Sequence, residues 1–168
     1  MDKQTFSEKL QYVEMVHGVT LRVIKAFSDA DLDFRPQPGM RTPRELIFHI
    51  YSNEKLLVEA ARRGEFSRDA ADGSNPESEG NAATLRSLDT THALCAYAAE
   101  CHKAASTIWS AMSDEDLNRS VHTPLGGFAA WKFFESTYDE HWHHRGQLYT
   151  YLRLLGKEPP LLYGYQPQ

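Results

Sequence analysis

The stretch Asp139-Glu140-His141-Trp142-His143-His144-Arg145-Gly146-Gln147-Leu148 holds three of the chain's eight histidines. Its reading decides the fold. On a helix at about 100° per residue, Phe133, Thr137, Tyr151 and Leu155 fall within about 20° of His144, and Leu148 lies about 40° away. These residues form an apolar stripe. Glu140 lies about 40° to the other side, His141 about 60° off and His143 about 100° off. The pattern predicts a helix from about Ala129 to Leu155, ended by Gly156 and followed by Pro159-Pro160. Periodicity alone therefore aims Glu140 and His144 at the core. A carboxylate there costs several kcal/mol unless its charge is compensated. The i, i+4 spacing lets one cation reach both side chains. Pairing of Glu140 with Arg145 or a lysine, with His144 hydrogen-bonded in the core, is the alternative that one helix leaves open.

A second helix repeats the theme. Thr42-Pro43 reads as an N-cap followed by proline in the first turn, and the helix runs from about Arg44 to Arg63, stopping at Gly64. Leu46, Asn53, Leu56 and Ala60 sit within about 60° of His49, so this helix also turns a histidine inward. The first helix, from about Phe6 to Phe27, carries the stripe Phe6, Leu10, Val13, His17, Thr20, Ile24, Phe27. His17 is thus a further pocket residue or a hydrogen-bonded core residue. His92, His102 and His122 have no such placement and read as surface or loop residues. The third long helix runs from about Thr90 to Met112, with Leu94, Ala98, Cys101, Ala105, Ile108 and Met112 as its stripe.

The connections are rich in turn residues, and no segment reads as a strand. Residues 65–83 are rich in Ser, Asp, Glu, Asn and Gly, and Asp69 to Gly80 reads as a mobile surface loop within one domain. Ser28-Asp29-Ala30-Asp31-Leu32 echoes Ser113-Asp114-Glu115-Asp116-Leu117, either as a repeat of two helix-loop-helix halves or as shared turn chemistry.

Composition narrows the function. The chain has 168 residues, 41% hydrophobic and 24% charged, enough for one domain that needs neither metal nor disulfide merely to fold. A net charge of −5 argues against wrapping nucleic acid. No apolar run approaches the ~20 residues of a membrane span. Met1-Asp2-Lys3-Gln4-Thr5-Phe6 lacks the features of a secretion signal, and Cys95 and Cys101 form neither a zinc pair nor a disulfide framework. A reducing cytoplasm is the expected location. His-Glu-x-x-His, the P-loop and Gly-x-Ser-x-Gly are absent. Glu14 to His17 and Glu140 to His143 both read Glu-x-x-His, but Glu14 and His143 point away from their stripes, against a di-iron carboxylate site.

The run His143-His144-Arg145-Gly146-Gln147-Leu148-Tyr149-Thr150-Tyr151-Leu152-Arg153, with Gly156 and Pro159-Pro160, resembles the C-terminal helix signature of the DinB family of DinB/YfiT-like metalloenzymes. Arg44-Glu45-Leu46-Ile47-Phe48-His49-Ile50 and Asp31-Leu32-Asp33-Phe34-Arg35-Pro36 resemble the same family. The resemblance implies an all-α, single four-helix bundle across residues 1–168. It also implies one divalent metal held by a residue of the second helix and an i, i+4 pair of the fourth. Position by position, His49 matches the first ligand and His144 the third. Glu140 stands where the family usually has His, and His141, one place along, is the substitute ligand.

The expectation is therefore a metal site of His49, Glu140 and His144, taking Zn, Ni, Fe or Mn. The carboxylate shifts preference toward Fe, Mn or Ni. His141 and Tyr151 are the candidate proton donors. The expected activity is metal-dependent chemistry on a small-molecule substrate. The resemblance implies thiol-dependent transfer or isomerisation with a low-molecular-weight thiol, or hydrolysis. A non-catalytic metal- or small-ligand-binding bundle is the alternative, and a homodimer is an open arrangement. No nucleic acid or membrane partner is expected.

Overall fold

A computed structural model of the chain describes residues 1–162. In chain order the helices are α1 Lys3–Ala26, α2 Pro43–Arg63, α3 Arg68–Ala71, α4 Ala82–Ser87, α5 Thr91–Ala111, α6 Asp114–Asn118 and α7 Ala130–Leu154. The long ones are α1, α2, α5 and α7. α2 packs against α5 and α7, and α1 packs against the same two. Among the described residues no helix is long and apolar enough to cross a membrane.

Local chemistry sets the helix limits. Thr42 Oγ1 accepts from the Glu45 amide at 3.2 Å while Glu45 Oε2 accepts from the Thr42 amide at 2.7 Å. This reciprocal pair, with Pro43 in the first turn, starts α2 where the sequence predicts. Gly64 ends it at φ 81, a left-handed position where a side chain would be strained. The Ser-Asp-x-Asp-Leu echo has the same origin. Asp31 accepts from the Ser28 amide and hydroxyl, both at 2.6 Å, and Asp116 accepts from those of Ser113 at 3.0 and 2.7 Å. Each is a one-turn capping device.

Two expectations change. A short hairpin exists: β1 Ser120–Thr123 pairs antiparallel with β2 Gly126–Ala129, in register from Ser120 opposite Ala129 to Thr123 opposite Gly126. Four-residue strands are too short for an alternation to show, and only Val121 on them is buried. The Gly126-Gly127 pair serves the turn. Gly126 has φ 118, and a Cβ on Gly127 would lie 2.6 Å from Ser120 Oγ. The 65–83 stretch also carries regular structure: α3, 3-10 turns at Asp72–Ser74 and Glu79–Asn81, and the start of α4. Asn81 Nδ2 donates to the carbonyls of Asp72 and Asn75, and Arg41 grips Glu77 through two contacts at 3.2 and 3.1 Å.

The core divides into two apolar halves. One contains Ile24, Leu32, Ile47, Leu94 and Leu152; the other contains Phe6, Val58, Trp109, Leu117 and Phe134. Between them, at mid-height on all four long helices, lies a polar layer. His17 and Thr20 come from α1, Glu54 from α2, His102 from α5, and His141 and Arg145 from α7, all buried. Polar groups at this depth must pair with one another, which fixes how the long helices align along their lengths.

Thr42→Ala should destabilise the protein by about 1 kcal/mol, because the α2 amides lose their cap. Urea unfolding followed by circular dichroism reads this as a lower midpoint at unchanged slope.

Candidate metal centre

α2 and α7 meet where His49 faces Glu140 and His144. Glu140 Oε2 lies 3.3 Å from His49 Nε2 and 3.0 Å from His144 Nε2. One ligand atom from each of the three residues lies within 4.8 Å of the others. The two rings stand edge to face, with centroids 4.9 Å apart. Helix periodicity explains the arrangement: Glu140 and His144 are one turn apart on α7, and α2 presents His49 from the facing stripe.

The outer nitrogens decide what the inner ones do. His49 Nδ1 donates to the Ser74 carbonyl at 2.6 Å, and His144 Nδ1 donates to Gln147 Oε1 at 2.8 Å. In its neutral form, with the proton at Nδ1, each ring turns an Nε2 lone pair toward Glu140. Glu140 Oε2 is buried there with no hydrogen-bond partner. A proton on His144 Nε2, then one on His49 Nε2, holds the Glu140 carboxyl well below the usual carboxylate range, although burial pulls the other way. With both rings neutral, three electron-rich atoms converge instead, so the set suits a cation in place of that proton. Ligating histidines with the second ring nitrogen donated to an oxygen are the common support of such a set. The three side chains fit one divalent ion.

Comparisons with known proteins give the family and the fold. The family model described as the DinB family matches residues 1–167. The chain belongs to the DinB family. Its fold is similar to that of a DinB-like protein, YjoA, from Bacillus subtilis, known from a crystal structure. The TM-score is 0.69 and the identity 19%, over 95% of this chain and 98% of that one. A search of curated proteins finds no match.

Within this DinB-family fold, the residues singled out from sequence separate. His49, Glu140 and His144 come together. His141 does not join them: it is fully buried, with Nε2 3.3 Å from Glu54 Oε2 and Nδ1 3.4 Å from Thr20 Oγ1. The 60° offset on the helix is enough to carry it into the polar layer, so the substitute-ligand and proton-donor readings of His141 lose their geometry. Tyr151 donates its hydroxyl to the Arg41 carbonyl at 2.9 Å and is likewise spent elsewhere. His17 takes the core reading, with Nδ1 2.9 Å from the Tyr51 hydroxyl. His102, read as a surface residue, is buried.

Sequence reasoning missed Glu54, which organises the polar layer. Its Oε1 lies 2.7 Å from His102 Nδ1 and its Oε2 faces His141. The His17 ring stacks on His102 with centroids 3.9 Å apart, and Glu14 Oε2 approaches His102 Nε2 at 3.0 Å. A signal existed. Ile47, Tyr51, Glu54, Val58 and Ala61 recur at steps of four and three, an apolar stripe with one carboxylate in it. Burial alone would raise the Glu54 pKa, but its contacts with His102 and His141 overcome that and bring it down to about 2. Burial opposes a charge on His102 as well, yet Glu54 and Glu14 hold its pKa above the ordinary value. Burial, with His102 nearby, pushes His17 down to about 3.

These shifts give the stability a two-sided pH dependence. The His102 contribution is present below its ordinary value of 6.5 and is lost as pH rises through the raised folded value. His17 stays neutral when folded. Below 6.5 the unfolded chain therefore binds a proton the folded one refuses, and stability falls toward about pH 3. Glu54→Gln should flatten the alkaline limb and cost about 3 kcal/mol near neutral pH, since it breaks a buried pair. Urea midpoints across pH, wild type against variant, check both; an unchanged alkaline limb contradicts the assignment to His102.

Proposed function

We infer that this DinB-family chain is a divalent-metal-dependent enzyme acting on a small molecule, with its four long helices forming one bundle around the site. What carries the reading is Glu140 Oε2, buried without a hydrogen-bond partner between two imidazole nitrogens whose own protons are engaged on the far side. Three protein ligands leave a coordination position free, as in catalytic and unlike closed structural sites. Among the described residues, the candidate ligand group has these three members, which favours the enzyme over a closed binding protein.

His49 and His144 supply neutral nitrogen donors, and Glu140 supplies a harder oxygen and one negative charge. That donor set suits Fe, Mn or Ni as well as Zn. The ion, when bound, lowers the pKa of a coordinated water or thiol and polarises an electrophile. The chain's own residues do the positioning. The Ser74 carbonyl holds the His49 ring, and Gln147 holds that of His144. Glu140 keeps its carboxylate ionised across the working pH range. Its side chain is 35% exposed, so the site opens to solvent on that side. The reactions that suit such a site are transfer or isomerisation with a low-molecular-weight thiol, and hydrolysis. A cytoplasmic location accords with a reduced thiol partner.

Titration of metal-free protein with Ni²⁺, Mn²⁺ and Zn²⁺ tests the reading. One equivalent should bind, and His49→Ala or His144→Ala should remove most of the affinity without loss of helical circular dichroism. Gln147→Ala, which frees the His144 ring, should weaken binding roughly tenfold. Saturable turnover of an electrophilic probe with a thiol, or of an ester, should disappear with the metal. Unchanged binding in both histidine variants, or a metal-free chain that is unfolded, overturns the proposal.

A further inference from the structure

A cleft of about 640 Å³ lies beneath the β1–β2 hairpin. Its apolar wall is Leu57 from α2, Phe66, Pro124 and Leu125 from the loops, Phe128 from β2, and Phe133 from α7. The volume is that of an ordinary small-molecule site. The hairpin is pinned over it, because the Phe66 amide donates to the His122 carbonyl at 2.8 Å and the His122 amide to that of Gly64 at 2.9 Å. Even so, Leu125 is 86% exposed and Phe128 45% exposed, so two large apolar side chains at the cleft stay largely uncovered.

The cleft lies on the seam that carries the candidate metal centre. Ser136, on its wall, precedes Glu140 by one turn on the same face of α7, about 6 Å along the axis. Leu57 follows His49 by eight residues on α2, about 12 Å. Since α2 and α7 pack together and His49 meets Glu140 and His144, the two sites lie one after the other along the α2–α7 seam.

The polar rim is close to charge balance. Glu135 and Asp139 line the cleft, Lys132 at 3.1 Å and Lys9 at 3.5 Å both reach Glu135, and Lys132 also sits over the Trp131 ring. The apolar wall, rather than the charge of the rim, therefore selects the occupant.

We propose that the hairpin cleft binds the apolar end of an elongated amphipathic substrate whose metal-ligating head reaches the His49–Glu140–His144 centre. The class of substrate is thus a molecule with a small ligating group separated from an aliphatic or aromatic body by about two helical turns of reach. This rests on the metal reading, so the test separates the two.

Alkyl hydroxamates provide a ligating head with or without a tail. On Ni²⁺-loaded protein, octanohydroxamate should bind on the order of a hundredfold tighter than acetohydroxamate, the excess coming from the buried chain. Leu125→Glu with Phe128→Glu alters exposed side chains outside the metal centre. It should cut that ratio to roughly tenfold or less while leaving acetohydroxamate and metal binding unchanged. In metal-free protein the neutral dye N-phenyl-1-naphthylamine should bind and be weakened by the same pair. The milder Phe128→Ala, checked by circular dichroism, gives the same direction if the glutamates disturb the hairpin. A chain-length ratio near one, or a ratio and dye affinity indifferent to these substitutions, overturns the proposal. If Ni²⁺ does not bind, the metal reading falls and the dye titration alone decides the cleft.

Discussion

Two imidazole nitrogens and a carboxylate oxygen, all within hydrogen-bonding range, form the constraint around which the α2–α7 seam is built. With both rings neutral, such a cluster repels itself unless a positive charge sits among its atoms. The surrounding chain fixes the outer side of each ring. The carbonyl of Ser74 takes one ring's proton, and Gln147 takes the other's. The Ser74 carbonyl is in place because Asn81 and the Arg41–Glu77 pair hold the segment after α2 against the long helices. The polar-looking stretch between α2 and α5 therefore orients the His49 ring.

A second polar arrangement lies on the other face of α7 and works differently. Glu54 is deeply buried but has His102 and His141 against its two oxygens, and His102 bears the compensating proton. The two carboxylates thus have opposite remedies. The charge of Glu54 is offset by a proton on His102 inside the core, whereas Glu140 sits between two rings whose outer nitrogens are tied to Ser74 and Gln147. Consecutive residues of α7 serve the two arrangements, Glu140 for one and His141 for the other. The angular step of about 100° between neighbours on a helix is what keeps them apart.

The sequence shows the long helices and their limits because caps and stripes are local: Thr42-Pro43 and Gly64 bound α2 without reference to anything distant. The inward faces of His49, Glu140 and His144 are legible for the same reason. What is not legible depends on partners. Glu54 sits on a regular stripe, yet only the approach of His102 from α5 and His141 from α7 tells that it is satisfied. Ser74 reaches His49 through a backbone carbonyl, which any residue type supplies. The β1–β2 hairpin is shorter than the period needed to announce it.

A crystal structure of the metal-loaded protein, with anomalous data at the absorption edge of the bound ion, tests the central claim most directly. The account predicts one anomalous peak about 2.0–2.3 Å from His49 Nε2, His144 Nε2 and a Glu140 oxygen, with both Nδ1 atoms still donating to Ser74 and Gln147. A peak ligated by His141, or one seated in the Glu54 layer with the Glu140 cluster left without an ion, would contradict it.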